Sequence, residues 1–335
     1  MNDRILSALR MPFCGGNSVT YDTKLQSSQK SPARWSVLIF CALLSFSWGA
    51  HADSSLDATV DKGVHSAAEA QEERFPYLAA RTYDPTRWAG EEFHFSISMM
   101  GGEAARAVLN IGRVTEDENL GRVVPVQGLV GSVGLLSALL NFKYGGLTYL
   151  NAETGKPIWG EKLLEDGGRS RTYTTFYDRE SYRAEVTRTE NDRHRTSERM
   201  IPSHVDDVFS WILRLRNTDL AVGDTYTFYI FDGWLTRRLR IRVVSHVERY
   251  EDASQRKVVR AAEIDVTGDL ITELFPLPWA EDAADLSPVF TVRKSEPLAT
   301  TWITLDERRI PLGIELRTPL GFMRIVLTRH VPPSP

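Results

Sequence analysis

The sequence predicts a mainly β protein, built as an antiparallel curved sheet or partly closed β-barrel with one or two short helices covering its mouth. Three observations predict this fold class. Apolar and polar residues alternate along many short segments, glycine-containing turns separate those segments, and one segment alone shows clear helical spacing. Antiparallel strands with a single apolar face bury that face on a core, which favours a curved sheet.

Residues 1–52 have the pattern of a signal peptide with a long n-region. Residues 37–46 form an apolar run, basic residues precede it, and a small-x-small cleavage site ends at Ala52. The alternative is a retained anchor helix, but a bilayer span needs roughly 20 apolar residues. We therefore expect a periplasmic or otherwise exported protein after cleavage near Ala52, whether translation starts at Met1 or Met11.

The cysteine positions and the net charge exclude several kinds of site and partner for the chain that remains after cleavage. Cys14 and Cys41 both precede the cleavage site, so a disulfide framework, a thiolate metal site and a cysteine nucleophile are excluded after it. The net charge of −4 does not suggest a nucleic-acid-binding protein, which normally presents a basic domain. Residues 53–74 are rich in Ala, Ser, Asp and Glu and indicate a flexible linker, which leaves residues 75–335 as a single β-rich domain.

The strands follow one another along this domain and are joined by turn signals. Gly101-Gly102 and Asp232-Gly233 are typical of tight hairpins. The predicted strands are residues 92–100, 104–114, 122–127, 147–150, 157–164, 170–178, 182–188, 225–231, 234–247, 257–267, 299–305, 310–317 and 322–329.

A helix is predicted over residues 204–216, where apolar residues recur at helical spacing from residue 205 to residue 215. Ser203 is the expected N-cap, with Asp206 three residues later as in a capping box. Asp206 and Asp207 then lie in the first turn, where carboxylates suit the helix dipole. We interpret them as helix starters rather than as a catalytic acid pair.

Residues 306–309 are four consecutive charged residues between two alternating apolar strands. This pattern is typical of a turn at a loop tip rather than of a site. As an exposed turn, it is expected to contribute only solubility and a weak ion pair.

Residues 129–142 form an apolar run that is interrupted by glycines. One interpretation is a short buried helix followed by a loop. The other is the rim of an apolar cavity, which Leu135, Leu136 and Leu139 would line.

Residues 273–279 alternate apolar side chains with prolines, and this spacing predicts an extended loop without regular structure. The loop is either a plug that tucks against the protein or a lid that meets a membrane or gates a ligand. Phe275, Leu277 and Trp279 are the side chains that would make that contact.

Arg238, Arg240 and Arg242 are predicted on one face of a strand, opposite an apolar face. They form either an ordinary solvated face or a row that recognises anions, because a guanidinium group binds phosphate or carboxylate through paired hydrogen bonds. A lipid headgroup or a sugar acid is the kind of anion expected in an envelope.

The order of motifs resembles the bacterial exported family called domain of unknown function 3108. The resemblance extends over residues 88–330, and the last two of its motifs are the specific ones. The motifs are residues 90–93, 151–157, 206–211, 222–233 and 302–312. The resemblance implies a β-rich envelope protein with no known reaction and no catalytic residues, and residues 270–294 are longer than it leads us to expect.

The sequence gives no motif for an enzyme. There is no P-loop, no dinucleotide fingerprint and no nucleophile elbow, since Ser132 lies in VGSVG, and no two histidines have metal-ligand spacing. We predict a non-catalytic binder of an apolar or lipid-like ligand, without cofactor or metal. The alternatives are an envelope scaffold that contacts a membrane or another envelope protein, and a hydrolase with an unrecognised site.

Overall fold

The computed structural model describes residues 83–139, 141–202, 204–233, 235–254, 256–276, 286–290, 299–318 and 321–333. All of them lie in one compact unit. The elements are a 3₁₀ helix (Pro85–Trp88), β1 (Glu92–Met99), β2 (Gly102–Ile111), β3 (Thr115–Asp117), β4 (Gly121–Ser132), α1 (Gly134–Leu139), β5 (Phe142–Asn151), β6 (Pro157–Asp166), β7 (Arg169–Asp178), β8 (Arg183–Glu190), β9 (Arg193–Met200), α2 (Ser210–Arg216), β10 (Thr225–Phe231), β11 (Thr236–Tyr250), β12 (Val258–Pro276), β13 (Leu286–Phe290), β14 (Ala299–Thr304), β15 (Pro311–Thr318) and β16 (Gly321–Val331).

All described strands belong to one antiparallel sheet, which confirms the predicted fold class. The strand order is β10-β11-β12-β14-β15-β16-β1-β2-β4-β5-β6-β7-β8-β9, with β3 beside β4 and β13 beside β12. Among the described strands nothing pairs β10 with β9, so the sheet is open. The first and last strands, β1 and β16, pair with each other in its middle.

The sheet curls around α2, as the buried clusters show. Leu213 of α2 packs with Phe93 of β1, in the middle of the sheet. Leu215, two residues on, packs with Leu239 near one end of the sheet. A further cluster joins β7 and β8 to β10, where Tyr177 and Phe231 meet edge to face at 6.2 Å. The two ends of the sheet therefore approach each other around the helix.

The helix α2 is shorter than predicted and begins at Ser210 rather than at residue 204. The preceding segment is extended instead. The amide N of Asp206 donates to the carbonyl O of Tyr229, and the amide N of Phe231 donates to the carbonyl O of Asp206, each at 2.8 Å. Pairing with β10 satisfies these backbone groups, so the apolar residues before Ser210 gain burial without helical geometry. Ser203, the expected N-cap, lies outside the described residues.

The strand β12 is longer than predicted and corrects the expected loop over residues 273–279. Residues 273–276 continue the strand and pair with β13, which was not predicted. Pro276 is the last residue of β12, a strand end at which the missing proline amide costs little. Within residues 270–294, the segment that is longer than the resemblance implies, the described part thus forms a hairpin that extends the sheet.

Candidate ligand-binding site

Phe209, just before α2, fixes the helix against the inner face of β4 and β5. Its ring lies over two glycines, and a Cβ on Gly128 would come 2.6 Å from the ring, one on Gly146 2.9 Å. Only residues without a side chain allow this approach. Asp207 caps the helix, because its Oδ1 accepts from the amides of Phe209 and Ser210 at 3.1 and 2.7 Å. Asp207 thus starts the helix as interpreted, but from the residues that precede it rather than from its first turn, where the prediction placed it.

Asp206 has a different role from the predicted one. It forms a two-pronged ion pair with Arg214, at 2.7 and 2.9 Å, and both side chains are buried. Burial lowers the pKa of Arg214, but the Asp206 carboxylate outweighs it and raises that pKa overall. The Arg214 guanidinium also lies 4.8 Å from the centre of the Tyr83 ring. The pair ties the segment before α2 to the helix itself.

Arg216 forms a second buried ion pair inside the sheet. Its Nη2 lies 2.7 Å from Glu91 Oε2, and its guanidinium lies 3.8 Å from the centre of the Trp88 ring. Burial lowers the pKa of Arg216 to about 10, with Glu91 acting in the opposite direction. A charge removed from water in this way depends on its partners being in place.

The turn at residues 306–309 supplies the remaining partners of Arg216. The Nε and Nη2 of Arg216 donate to the carbonyl oxygens of Arg309 and Arg308, each at 2.9 Å. Asp306 and Glu307 are exposed, as predicted for a turn. The expectation that the turn contributes little is wrong for its backbone, because two of its carbonyls bind a buried charge.

A cavity of about 70 Å³ lies between α2 and the inner face of β10, β11, β12, β14 and β15. By the same measure a single water needs roughly 10–15 Å³. Nine of the twelve lining residues are apolar, as is usual for the wall of a small-molecule site. The lining residues are Val208, Trp211, Ile212, Ile230, Asp232, Arg237, Leu239, Val266, Ala299, Thr301, Ile314 and Leu316.

The charged residues of the cavity are Asp232 and Arg237, at the β10–β11 turn. Burial lowers the pKa of Arg237, and the Asp232 carboxylate partly offsets this effect. Lys162 of β6 reaches the same place and donates through Nζ to the carbonyl O of Asp232. The cavity is therefore amphipathic, with an apolar body and one charged end.

The leucines predicted to line a cavity belong to α1, the short helix that residues 134–139 form after β4. The side chains of Leu135, Leu136 and Leu139 lie outside the described part of the structure. Phe275 belongs to β12, again without a described side chain, and Leu277 and Trp279 lie outside the described residues. Their proposed roles in binding stay predictions.

The predicted arginine row shares one face of β11, as expected from alternation. Leu239 and Ile241, which alternate with the row, are buried on the other face. The cavity is lined from that other face, so Arg237 reaches it and Arg238, Arg240 and Arg242 do not. In the ladder with β12, Arg238 and Arg242 stand opposite Asp269 and Asp265. The row has acidic neighbours in register, as an ordinary charged sheet face does.

Among the residues that the structure describes, no group of three or more His, Cys, Asp or Glu side chains could hold a metal ion. In the same residues no helix is both long and apolar enough to cross a membrane.

Comparison with known proteins agrees with the predicted resemblance. The model of a family described as "Protein of unknown function (DUF3108)" matches residues 94–328. The comparison with curated proteins found no match.

Several solved structures are similar to the chain. One is a β-barrel-like protein of domain of unknown function DUF1849 from Brucella abortus, with 10% identity, a TM-score of 0.44, and coverage of 74% of this chain and 99% of that one. Another, provisionally described as an exported protein with a YmcC-like fold, comes from Bacteroides fragilis, with 7% identity, a TM-score of 0.25, and coverage of 75% and 99%. A third, provisionally described as a lipoprotein, comes from Parabacteroides distasonis, with 8% identity, a TM-score of 0.27, and coverage of 75% and 98%.

Proposed function

This chain belongs to the DUF3108 family of proteins of unknown function, and we propose that it is a non-catalytic envelope protein that binds an apolar or lipid-like ligand. The observation that carries the proposal is the cavity between α2 and the curled sheet. Ligand sites are commonly concave, largely apolar and equipped with a few polar groups that orient the ligand. The cavity matches this description, with Asp232 and Arg237 as its polar groups.

The mode of binding follows from the way the cavity is built. Its walls are strands of one hydrogen-bonded sheet, while its other side is a helix fixed by Phe209 and by two buried ion pairs. A preformed cavity of this kind loses little freedom when a ligand enters, which favours binding. Export rests on the signal-peptide pattern of residues 1–52, with cleavage near Ala52.

An envelope scaffold is the second candidate, and the edge strand β9 favours it. Within the described residues β9 pairs with β8 alone, and six of its eight residues are exposed. A free strand edge can accept a strand from a partner protein. In this alternative the cavity would be a packing defect without a ligand.

The test of ligand binding fills the cavity. Ala299 of β14 lies between Val266 and Leu316 in the ladder, and all three line the cavity. We expect Ala299→Phe to abolish binding of dodecyl maltoside, measured by isothermal titration, since the new ring would take the space of the alkyl chain. The control is Ala253→Phe, at an exposed position outside the cavity.

The outcome separates the two candidates. Saturable binding by the native protein that is lost in Ala299→Phe and kept in Ala253→Phe supports the ligand-binding function. If the native protein does not bind the amphiphile, and solvent extraction of the purified protein releases no lipid by mass spectrometry, the proposal fails. The scaffold function then becomes the one to pursue.

A further inference from the structure

The inner face of β7–β9 is densely cationic. This face is defined by Tyr177, Ala184 and Val186, which pack against β10. Strand register places a row of basic side chains on the same face, and Lys162 of β6 stands beside Tyr173 at its border. We call this set the arginine face; it consists of Arg171, Arg188, Arg193, Arg195, Arg199 and Lys162.

Acidic side chains are few on the arginine face. Among the described residues of these strands, Glu190 shares the face and pairs with Arg188, while Asp166 stands opposite Arg169 at the far end. The opposite face of the same strands carries Glu185 and Glu198 together with several threonines. Basic side chains therefore predominate on the arginine face, whereas Arg183 is the basic residue among the acidic ones on the opposite face of β8.

The arginine face also contains groups that an anion would satisfy. Arg188 and Arg195 stand directly opposite each other on neighbouring strands, an arrangement in which like charges repel. Arg193 and Arg195 are exposed, and although Glu190 stands opposite Arg193 in the ladder, no acidic side chain in the described ranges forms an ion pair with either arginine. The Nε of Arg171 is buried and has no hydrogen-bond partner among the residues that the structure describes. Burying such a donor is costly unless something pairs with it.

The arginine face adjoins the charged end of the cavity. Lys162, at the border of the face, donates to the carbonyl O of Asp232, and Asp232 lines the cavity beside Arg237. Gly233 follows Asp232 and approaches Thr175 of β7, to which a Cβ at Gly233 would lie 3.1 Å. One molecule that enters the cavity with its apolar chain can thus present its other end to the arginines.

We propose that the ligand is an anionic amphiphile, with its alkyl chain in the cavity and a phosphate or carboxylate head on the arginine face. This inference rests on the proposed function and specifies its ligand class. Guanidinium groups bind these anions through paired, charge-assisted hydrogen bonds. In the β8–β9 ladder Arg188 and Arg195 share one rung, and Arg193 lies two residues from Arg195 along β9, on the same face.

The experiment compares two probes with the same chain, dodecyl phosphate and dodecyl maltoside, and includes inorganic phosphate alone. Titrations are made with the native protein and with the double variant Arg193→Gln/Arg195→Gln. The control variant is Arg183→Gln/Arg324→Gln, which removes two exposed arginines that lie off the arginine face and already pair with Glu198 and Glu315.

We expect the native protein to prefer dodecyl phosphate about tenfold, a ratio of the size that one charge-assisted hydrogen bond supplies. The double variant should lose this preference and keep its affinity for dodecyl maltoside, and the control variant should keep both. Added salt should weaken the binding of dodecyl phosphate but not that of dodecyl maltoside, since salt screens exposed charges. The salt series is made on the native protein and does not depend on the folding of any variant.

Three outcomes overturn the inference. Equal affinity for the two amphiphiles in the native protein shows that the head charge is not recognised, although the proposed function stands. Inorganic phosphate that binds as tightly as dodecyl phosphate shows an anion site without a chain. If neither amphiphile binds, the proposed function itself fails, and the inference fails with it.

Discussion

Removing the guanidinium of Arg216 tests whether the buried ion pairs hold α2 inside the sheet. In Arg216→Met the Glu91 carboxylate, 5% exposed, would lose its nearest cation. The carbonyls of Arg308 and Arg309 would lose their donors as well. Breaking a buried pair by removing one partner costs roughly 3–5 kcal/mol, so we expect about 4 kcal/mol. For a domain of this size that corresponds to a fall in melting temperature of about 10 °C.

The assay is urea unfolding of the native protein, of the two single variants and of the double variant Arg216→Met/Glu91→Leu. Replacing both partners with apolar groups removes the isolated charge, so the double variant should recover about 2 kcal/mol relative to Arg216→Met. If the double variant instead loses the sum of the two single costs, the reasoning is refuted, since the pair would then not be coupled. A loss below about 1 kcal/mol in Arg216→Met would refute it too, because that is the range of exposed pairs.

Two further predictions concern packing and pH. Gly128→Ala should lower the free energy of unfolding by about 1–3 kcal/mol, because its Cβ would meet the Phe209 ring. The control is Gly131→Ala on the same strand, which should cost less than about 1 kcal/mol because its Cβ would come no closer than 3.9 Å to another atom. Equal losses in the two variants would contradict this prediction. Burial raises the pKa of Glu251, but its ion pairs, including that with Arg308, outweigh burial and hold this pKa below its usual value. The stabilisation from these ion pairs is therefore present above about pH 4.3 and is lost as the pH falls through the lower pKa of the folded state. Arg308→Gln should therefore cost less than about 1 kcal/mol at pH 7 and reduce the loss of stability between about pH 5 and pH 3 in urea titrations; an unchanged acid profile would exclude the pair as its cause.

Alternation predicted the strands that have one buried face, and β10 was predicted with its observed bounds. It did not predict β9, whose sequence RHRTSERM has no apolar alternation because this edge strand is exposed on most of its length. The helical spacing of apolar residues placed the start of α2 too early. The apolar residues before Ser210 are buried by pairing with β10, and burial alone does not distinguish that arrangement from a helix.

The candidate site was harder to predict, because its lining comes from a helix and five strands that only the sheet order brings together. Two signals were nevertheless present in the sequence. Alternation along β11 puts Arg237 on the face of Leu239, which is the buried face. Gly128 directly follows the strand predicted over residues 122–127 and lies inside β4, and a glycine within a strand commonly marks a close approach by another group. The buried pairing of Arg216 with Glu91 had no local signal, since the two residues lie far apart in the chain.

The pairing of β1 with β16 has a consequence for how the chain reaches its fold. The first and last described strands are neighbours in the middle of the sheet, so neither half has a complete set of partners until residues 321–331 are available. Ladders between such distant segments form late, because the loop they close must be ordered before the contacts stabilise it. A growing chain would therefore stay incompletely folded until β16 emerged, and a chain cut before Gly321 would expose the edge of β1 to other molecules.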